Sequence, residues 1–436
     1  MAGVSTFEWL STREAVLLRP DAYVGAVDAV EETAHIIDET GSATALSYEL
    51  SPILLKIFDE VLVNAVDSAS RDALVSRISC NFDLDTGYIV VENNGVGIPI
   101  EEFKSTGRLI PSVIFCELHA GSNFNDSEQR LTGGRNGVGV SCTNVWSSCF
   151  EVAVSDGRQN FFQRFSDNMR MIHEPHVQAE KAKLGFVRVR FLPDYARLAV
   201  DLALQALTLE HLFRMRCREA AICVRTGVQV YFQNELMQAK AALLLKQLSC
   251  SEHVVSENFG NTDGAGCTLY IAMRGCGPDF YGFVNSVRCD QGSLSTHVRE
   301  RLHKAIAEMM RKRHVTVRPQ TVRDVTALLV VSRIVNPRFT SQAKTNLATP
   351  VRQLGFTVDL PQRMLTKLQK LGVLDEIARR ENERELSASL KKTMVPKCKE
   401  LFIEKYVSVS GGGFVAQAGP APVLTPKDRV LHRGAS

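Results

Sequence analysis

Glu60 and Asn64 are the residues whose types and spacing most clearly suggest chemistry. They lie four residues apart in the segment "SPILLKIFDEVLVNAVDSASRD" (51–72), and Asp67 continues the same helical stripe. A carboxylate and an amide one helical turn apart can activate a water molecule and bind Mg²⁺ through an oxygen. A solvated helix face is the alternative, and this segment taken alone favours it because such faces are common.

A glycine-rich stretch, "TGGRNGVGV" (132–140), is a second candidate feature. No GK[ST] follows its glycines, and the third glycine of a dinucleotide fingerprint would fall at Cys142, so both of those nucleotide motifs are excluded. Backbone N–H groups in such a loop, together with the helix that "VSCTNVWSS" predicts after it, form an anion site suited to phosphate. Arg135 and Asn136 could add donors. A glycine-rich surface turn explains the stretch equally well.

The third feature is the stretch "ENNGVGIPI" (92–100), an Asn-Asn-Gly-x-Gly turn after a predicted strand. Its glycines would bring the backbone close to a planar ligand. The amide of Asn93 offers both a donor and an acceptor to the edge of a base. A hairpin turn is the alternative interpretation.

Mixed helices and strands are expected to position these residues in the first half of the chain. Ser51 as N-cap and Pro52 at the first helical position predict a helix over 51–72. Apolar patterning predicts the following strands: two within 78–95, one at 186–192 and one at 228–233.

A second unit is predicted to start near residue 240. Strands at 267–273 and 280–287, a helix at 294–314 and a buried strand at 324–335 follow one another, and this order indicates a βαβ crossover. A long charged helix is predicted over 361–393. The segment 401–436, which carries "GGG" and "GPAPVLTP", is interpreted as a linker or tail.

Composition excludes several classes of protein. The 436 residues are 45% hydrophobic and 23% charged with a formal charge of +3, so nucleic-acid binding would need a local basic patch. No apolar run approaches the length of a membrane span, and no secretory leader opens the chain. The eleven cysteines include no CxxC pair, so buried reduced thiols are expected rather than a metal site or a disulfide framework.

Along the chain the helix comes first, then "ENNGVGIPI" and then "TGGRNGVGV". In that order the three features resemble the GHKL ATPase superfamily, which includes gyrase, heat-shock chaperones, MutL proteins and histidine kinases. Three blocks are similar specifically to the type IIA DNA topoisomerases of eukaryotes and large DNA viruses: "LLRPDAYVGAV" (17–27), "KIFDEVLVNAVDSASRD" (56–72) and "LTGGRNGVGVSCTNVWS" (131–147). The stretches "FVNSV" (283–287) and "NPRFTSQAKTNL" (336–347) resemble the transducer domain of that family.

The resemblance covers residues 13 to 350 and implies an α/β fold. It implies a GHKL (Bergerat) α/β sandwich ATPase domain with an N-terminal dimerisation strap over 1–240. A transducer domain with a βαβ crossover would follow over 241–400, and then the linker or tail over 401–436.

The resemblance also implies roles for individual residues. Glu60 would be the general base that activates the water attacking the γ-phosphate of ATP, and Asn64 would bind Mg²⁺. Gln342 and Lys344 would reach the γ-phosphate from the transducer domain, where a fixed cation stabilises developing charge. The remaining nucleotide-binding positions would be Asn93 at the adenine, Ser122 and Asn123 near ribose and phosphate, and the loop residues Gly134, Arg135, Asn136, Gly137, Val138 and Gly139 with Val140 and Ser141 beside them.

Three positions depart from the family pattern. Ser141 stands where the family usually has a lysine, and Phe7 where relatives place a tyrosine that reaches the partner subunit's nucleotide. The basic loop after the transducer helix is reduced to "RKRH" (311–314). Its Arg311, Lys312 and Arg313 either contact the DNA backbone or simply complement a helix C-terminus.

The function that the resemblance implies is an ATP-operated gate that closes as a homodimer and drives passage of a double-stranded DNA segment. The family's cleavage and religation domains do not occur in this sequence, so they would act in cis or in trans. A chaperone-like or MutL-like GHKL clamp is the alternative. The expected location is the nucleus, with the mitochondrion or a viral factory or virion as alternatives, and no membrane association is expected.

Overall fold

The computed structural model describes residues 10–38, 40–120, 131–133, 137–261 and 264–390. The chain divides into a compact unit of residues 1–379 and a second unit of residues 380–436. The described strands form four sheets: a nine-stranded one, a five-stranded one and two two-stranded pairs, Val30–Ile37 with Ala43–Leu50 and Gln291–Gly292 with Asn346–Leu347. All four lie in the first unit together with the candidate site. Within the described part of the chain, no helix is long and apolar enough to cross a membrane.

Helices and strands are interspersed along the described part of the chain, and their bounds are as follows. The helices are α1 (Thr12–Leu18), α2 (Pro52–Arg71), α3 (Ile110–Cys116), α4 (Gly139–Val145), α5 (Leu202–Cys223), α6 (Ala241–Ser249), α7 (Ser293–Arg311), α8 (Pro319–Val325) and α9 (Gln362–Lys370). The strands of the first half are β1 (Val30–Ile37), β2 (Ala43–Leu50), β3 (Arg77–Phe82), β4 (Ile89–Gly95), β5 (Ser147–Ser155), β6 (Gln159–Ser166), β7 (Met171–Ile172), β8 (His176–Ala179), β9 (Gly185–Pro193), β10 (Gln229–Phe232) and β11 (Glu235–Leu236). Those of the second half are β12 (Val254–Gly260), β13 (Gly266–Met273), β14 (Phe280–Val284), β15 (Val287–Arg288), β16 (Gln291–Gly292), β17 (Thr326–Arg333) and β18 (Asn346–Leu347).

The first sheet carries α2 and α5, which pack against each other and against β4 and β10 respectively. Its strand order is β11-β10-β3-β4-β9-β5-β6-β7, with β8 also paired to β6. The β10–β3 pair is parallel, whereas β3, β4, β9, β5 and β6 pair antiparallel. The ring of Phe213 lies 4.3 Å from that of Phe58, centroid to centroid, so α5 holds α2 against the sheet through an aromatic contact. The predicted helix at 51–72 and the predicted strands of this half are confirmed.

The second sheet has the order β12-β13-β17-β14-β15. Its strands β14 and β17 pair in parallel and are connected through α7 and α8, so the predicted βαβ crossover is confirmed. A separate cluster of buried side chains, which includes Met215 of α5, Leu245 of α6 and Phe283 of β14, packs between this sheet and α5. Apolar burial therefore joins the second sheet to the first.

Two sequence predictions of secondary structure are wrong in detail. The predicted single strand at 280–287 is a hairpin, because Asn285 and Ser286 adopt left-handed φ angles of 48° and 68° between β14 and β15. The predicted helix at 361–393 is interrupted after α9 at Gly372, whose φ is 78°, and residues 373–390 are helical again.

The expectation that all cysteines are reduced is also wrong. Cys250, at the C-terminal end of α6, forms a disulfide with Cys276 in the loop between β13 and β14. Eight other cysteines among the described residues are buried free thiols. The pairing arises because tertiary packing brings the end of α6 against that loop, where the Gly275 N–H donates to the Ser249 carbonyl at 2.8 Å.

Candidate active site

The centre of the site is the carboxylate of Glu60, which is only 6% exposed in the middle of α2. Its neighbours are two ammonium groups: Lys56, one turn earlier, forms an ion pair with it, and the Nζ of Lys344 lies 3.7 Å from its Oε1. Burial alone would raise the pKa of Glu60, but the two lysines outweigh burial and lower this pKa to about 2. Glu60 is therefore ionised and held between two cations.

Lys344 reaches this carboxylate from the segment between β17 and β18. Its backbone has a left-handed φ of 60°, and its N–H donates to the Ser341 carbonyl at 3.1 Å, so the chain turns tightly at the lysine. Burial lowers the pKa of Lys344, which is only 6% exposed, while the charge of Glu60 opposes that shift. Gln342 is half-buried two residues earlier in the same turn.

Gly139, the first residue of α4, closes the site on the other side. A Cβ atom built at this position would lie 1.9 Å from Glu60 Oε2, so only glycine admits the carboxylate so close to the helix start. The preceding Gly137 has a left-handed φ of 59°, and Val138 and Val140 are buried. The structure thus brings part of the predicted phosphate loop directly against the predicted general base.

Ser141 is fully buried one residue further along. Its hydroxyl donates to the carbonyl of Glu117 or of Val138, at 3.1 and 3.2 Å. The hydroxyl is therefore engaged by the protein backbone at the position where the family usually has a lysine.

The far end of α2 carries the other polar residues of the predicted stripe. Asn64 is exposed, one turn beyond Glu60, whereas Asp67 is buried and accepts the N–H of Gly133 at 3.0 Å. A Cβ at Gly133 would lie 2.8 Å from the Asn285 carbonyl oxygen, so the start of the glycine-rich stretch is packed between α2 and the β14–β15 hairpin.

Asn93 lies on β4, 5% exposed and facing α2. Its Nδ2 is 3.5 Å from Ser68 Oγ and donates to the Asn94 carbonyl at 3.1 Å. The turn that follows is held by Asp72, which accepts the Val96 N–H at 2.7 Å. Asn93 therefore lies at the end of α2 remote from Glu60, as the two ends of an elongated ligand would require.

Some predicted residues lie outside the described part of the chain. These are Phe7, Ser122, Asn123, Gly134, Arg135 and Asn136.

The basic cluster at the end of α7 is exposed. Arg311 lies in the last turn of the helix, where a cation complements the helix dipole, and Arg313 forms an ion pair with Asp375 at 2.6 Å. Arg313 is thus partly neutralised, and Lys312 is the C-cap.

Sequence reasoning missed two residues of α2 that the structure makes important. Lys56 and Asp59 could equally belong to a solvated face, yet Lys56 pairs with Glu60 and Asp59 is held by two hydrogen bonds from Arg216 of α5. The i, i+4 spacing of Lys56 and Glu60 is a signal that could have identified the first pair. No local signal identifies Arg216 as the partner of Asp59.

No group of three or more His, Cys, Asp or Glu side chains able to hold a metal ion occurs among the described residues. The chemistry available at the site is that of one carboxylate, two ammonium groups, an exposed amide and a glycine-rich helix start. Such a set suits polarisation of a water beside a polyanionic ligand.

This fold and this site define a GHKL-type ATPase. The family described as "Histidine kinase-, DNA gyrase B-, and HSP90-like ATPase" matches residues 50–178, and the family described as "DNA gyrase B" matches residues 229–389. The chain belongs to the type IIA DNA topoisomerase family and corresponds to its ATPase and transducer region.

Relatives and solved structures give the same result. The chain is 30% identical to the DNA topoisomerase 2 of Saccharomyces cerevisiae over 88% of its own length and 28% of that protein. It is 30% identical to the DNA topoisomerase 2 of Bombyx mori over 84% of its length and 25% of that protein. The chain thus spans about a quarter of the curated relatives that it matches.

Two solved structures are similar over almost their whole length. The ATPase region of Saccharomyces cerevisiae topoisomerase II superposes with a TM-score of 0.76 at 30% identity, covering 85% of this chain and 97% of that one. The ATPase and transducer domains of DNA topoisomerase II from Balamuthia mandrillaris superpose with a TM-score of 0.80 at 30% identity, covering 88% and 100%. These matches favour the topoisomerase interpretation over a chaperone-like or MutL-like clamp.

Proposed function

We propose that this chain binds and hydrolyses ATP and acts as the ATP-operated gate of a type IIA DNA topoisomerase. The observation that carries the proposal is the buried contact, at 3.7 Å, between Glu60 on α2 and Lys344 in the segment between β17 and β18. A base on α2 and a cation from the segment between β17 and β18 suit hydrolysis of a terminal phosphoryl group. The same pair suits detection of whether that group is present.

Lys344 and Lys56 hold Glu60 as a carboxylate with a pKa of about 2, which makes it a weak base. The terminal phosphate of ATP would compete with Glu60 for Lys344, because both are anions that a single ammonium group can bind. Release of Lys344 from Glu60 would raise the pKa of Glu60 and make it a better proton acceptor. The lysine would then stabilise charge on the phosphoryl group.

Mg²⁺ fits the residues present. Asn64 is an exposed amide one turn from Glu60, and Mg²⁺ in nucleotide sites takes few protein ligands because phosphates and water supply the rest. When bound, the ion would neutralise phosphate charge during transfer. Asn64 would hold the ion through Oδ1, and the α4 start at Gly139 would offer backbone N–H groups to the phosphates.

Adenine recognition by Asn93 is supported by its burial on β4, at the end of α2 remote from Glu60. The Ser122, Asn123, Gly134, Arg135 and Asn136 contacts stay predictions.

A boundary between ATPase and transducer domains near residue 240 is supported by the two larger sheets. The last strand of the first sheet ends at Leu236, and the first strand of the second sheet begins at Val254.

Homodimerisation on ATP and passage of a DNA duplex are proposed from the similarity to DNA topoisomerase 2 proteins, with cleavage domains supplied in cis or in trans. Contact of DNA with Arg311, Lys312 and Arg313 is supported by their exposure. Neutralising the three together should weaken stimulation of ATP turnover by double-stranded DNA, and unchanged stimulation would argue for a helix-capping role alone.

Nuclear location stays a prediction, to be checked by imaging the tagged chain in its source cells.

The main test compares wild type with Glu60→Ala for ATP turnover and for oligomeric state with a non-hydrolysable ATP analogue. We expect analogue-induced dimers of both proteins and turnover by wild type only, because the carboxylate serves chemistry rather than binding. Equal turnover by the two proteins would refute the role of Glu60, and failure of both to bind the analogue would refute the nucleotide site.

A further inference from the structure

A chain of ion pairs and hydrogen bonds, which we call the buried charge network, connects α2 to the β14–β15 hairpin. Its members are Asp59 of α2, Arg216 and Glu219 of α5, Tyr281 of β14, Arg288 of β15, and Asp290.

The first half of the network begins beside the candidate general base. Asp59 precedes Glu60 in α2, and successive helical side chains diverge by about 100°, so the two carboxylates face different neighbours. Arg216 donates to Asp59 from Nε at 2.7 Å and from Nη2 at 2.6 Å, a two-pronged arrangement that fixes orientation as well as distance. The third nitrogen of the same guanidinium, Nη1, donates to Glu219.

The second half reaches the hairpin of the other sheet. Glu219 also accepts hydrogen bonds from the hydroxyl of Tyr281 and, at 2.8 Å, from Nη1 of Arg288. The guanidinium of Arg288 lies 3.4 Å from the centroid of the Tyr281 ring and donates to Asp290 at 2.8 Å. Asp290 in turn accepts the N–H of Gly282 on β14 at 2.7 Å.

Glu219 is the centre of the network, since donors from both halves converge on its carboxylate. It is 3% exposed, and although burial would raise its pKa, the charges of Arg216 and Arg288 outweigh burial and lower it. Buried ion pairs contribute little net stability compared with apolar packing, but they hold their partners in one arrangement. A network of this kind therefore suits positioning.

The hairpin is fastened directly to the segment that carries Lys344. Immediately after Asp290, Gln291 of β16 pairs with Asn346 of β18, and the Gln291 N–H donates to the Thr345 carbonyl at 3.2 Å. The thiol of Cys289 lies 3.4 Å from the same carbonyl oxygen. A displacement of the hairpin would therefore move the backbone next to Lys344.

We propose that Glu219 is a positioning residue that couples α2 to the β14–β15 hairpin and thereby sets the position of Lys344 relative to Glu60. The role in turnover rests on the proposed ATP hydrolysis, whereas the mechanical coupling does not. Loss of the network would leave the lysine and the carboxylate misplaced around the terminal phosphate, without removing either group or any residue proposed to touch nucleotide.

The test uses Glu219→Gln and the milder Tyr281→Phe, which removes one hydroxyl and keeps the ring. The matched control is Glu151→Gln, because Glu151 also accepts from an arginine, Arg190 at 2.8 Å, but within the first sheet alone. We expect Glu219→Gln to lower kcat for ATP about tenfold or more, since small misplacements of reacting groups have effects of this size. The Kd of a non-hydrolysable analogue should change less than about threefold, and the control should resemble wild type.

Hydrogen exchange measured by mass spectrometry supplies a readout that does not need turnover. Peptides covering 285–292 and 340–348 should exchange faster in Glu219→Gln and, more weakly, in Tyr281→Phe, while peptides of the first sheet stay unchanged. Wild-type exchange in both segments, or faster exchange throughout the molecule, would overturn the coupling. If Glu219→Gln does not fold, Tyr281→Phe decides the question alone.

The two proposals fail in different ways. If Glu60→Ala abolishes turnover while Glu219→Gln and Tyr281→Phe keep wild-type kcat and exchange, ATP hydrolysis stands and the coupling is refuted. If wild type shows no turnover, ATP hydrolysis is refuted and the exchange data still decide the coupling.

Discussion

Replacement of Gly139 by alanine tests the geometry of the candidate base without touching the base itself. The added methyl group would lie 1.9 Å from Oε2, 2.5 Å from Cδ and 2.9 Å from Cγ of Glu60. Normal van der Waals contact begins near 3.4 Å, so the carboxylate must retreat by roughly 1.5 Å. The retreat separates Glu60 from Lys344 or from Lys56, or from both.

The expected effect on stability is small, whereas the expected effect on activity is large. Gly139 is the first residue of α4 and has no left-handed φ, so alanine fits the helix and should change the free energy of unfolding by no more than about 1 kcal/mol, in either direction. A misplacement of about 1 Å can lower turnover by roughly 100-fold. We therefore expect Gly139→Ala to fold normally and to hydrolyse ATP on the order of 100-fold more slowly than wild type.

The assay combines steady-state ATP turnover, thermal unfolding and the Kd of a non-hydrolysable analogue. Gly260→Ala is the matched control, because a Cβ there meets its nearest neighbour, the Ala265 carbonyl oxygen, at an ordinary 3.4 Å. Wild-type turnover by Gly139→Ala, in a preparation in which Glu60→Ala is inactive, would refute the reasoning. A loss of analogue binding as large as the loss of kcat would show that the methyl group blocks the phosphates instead.

Three further predictions concern pH, the disulfide and the metal. The folded pKa of Glu60, about 2, lies below its usual 4.5, so the stability that the ionised carboxylate contributes is present above pH 4.5 and is lost as pH falls towards 2. In urea unfolding, the difference in unfolding free energy between wild type and Glu60→Gln should therefore shrink by about 2 kcal/mol from pH 6 to pH 3. A difference that stays constant over this range would contradict the prediction. Cys276→Ser removes the bridge to Cys250, which closes a sequence separation of 26 residues, and should lower the free energy of unfolding by about 3 kcal/mol under non-reducing conditions, with no difference from wild type once a reductant is added. Asn64→Ala should raise the Mg²⁺ concentration needed for half-maximal turnover by about tenfold, and an unchanged Mg²⁺ dependence would exclude Asn64 as a ligand.

Much of the local structure could be predicted because its determinants are neighbours in sequence. Pro52 and the apolar spacing that follows it specify α2, and alternating or continuous apolar runs specify β4 and β17. The errors fall at Asn285–Ser286 and at Gly372, where the backbone takes left-handed conformations inside stretches whose composition otherwise fits one regular element. A prediction based on the composition of a stretch of sequence does not detect a turn made by one or two residues within it.

The contacts of the candidate site also fall into two groups, those between residues close in sequence and those between distant segments. The sequence by itself determined that Glu60 and Asn64 lie one turn apart and that a glycine-rich loop precedes a helix, because both facts depend on residues close along the chain. The family resemblance implied that Lys344 and Glu60 act at the same phosphate. Only the tertiary structure decided that their charged groups lie 3.7 Å apart, that Gly139 must lack a side chain, and that Asp59 leads through Arg216 to the other sheet. These contacts join segments far apart in sequence, and they form only when apolar burial has packed the two sheets and their helices together.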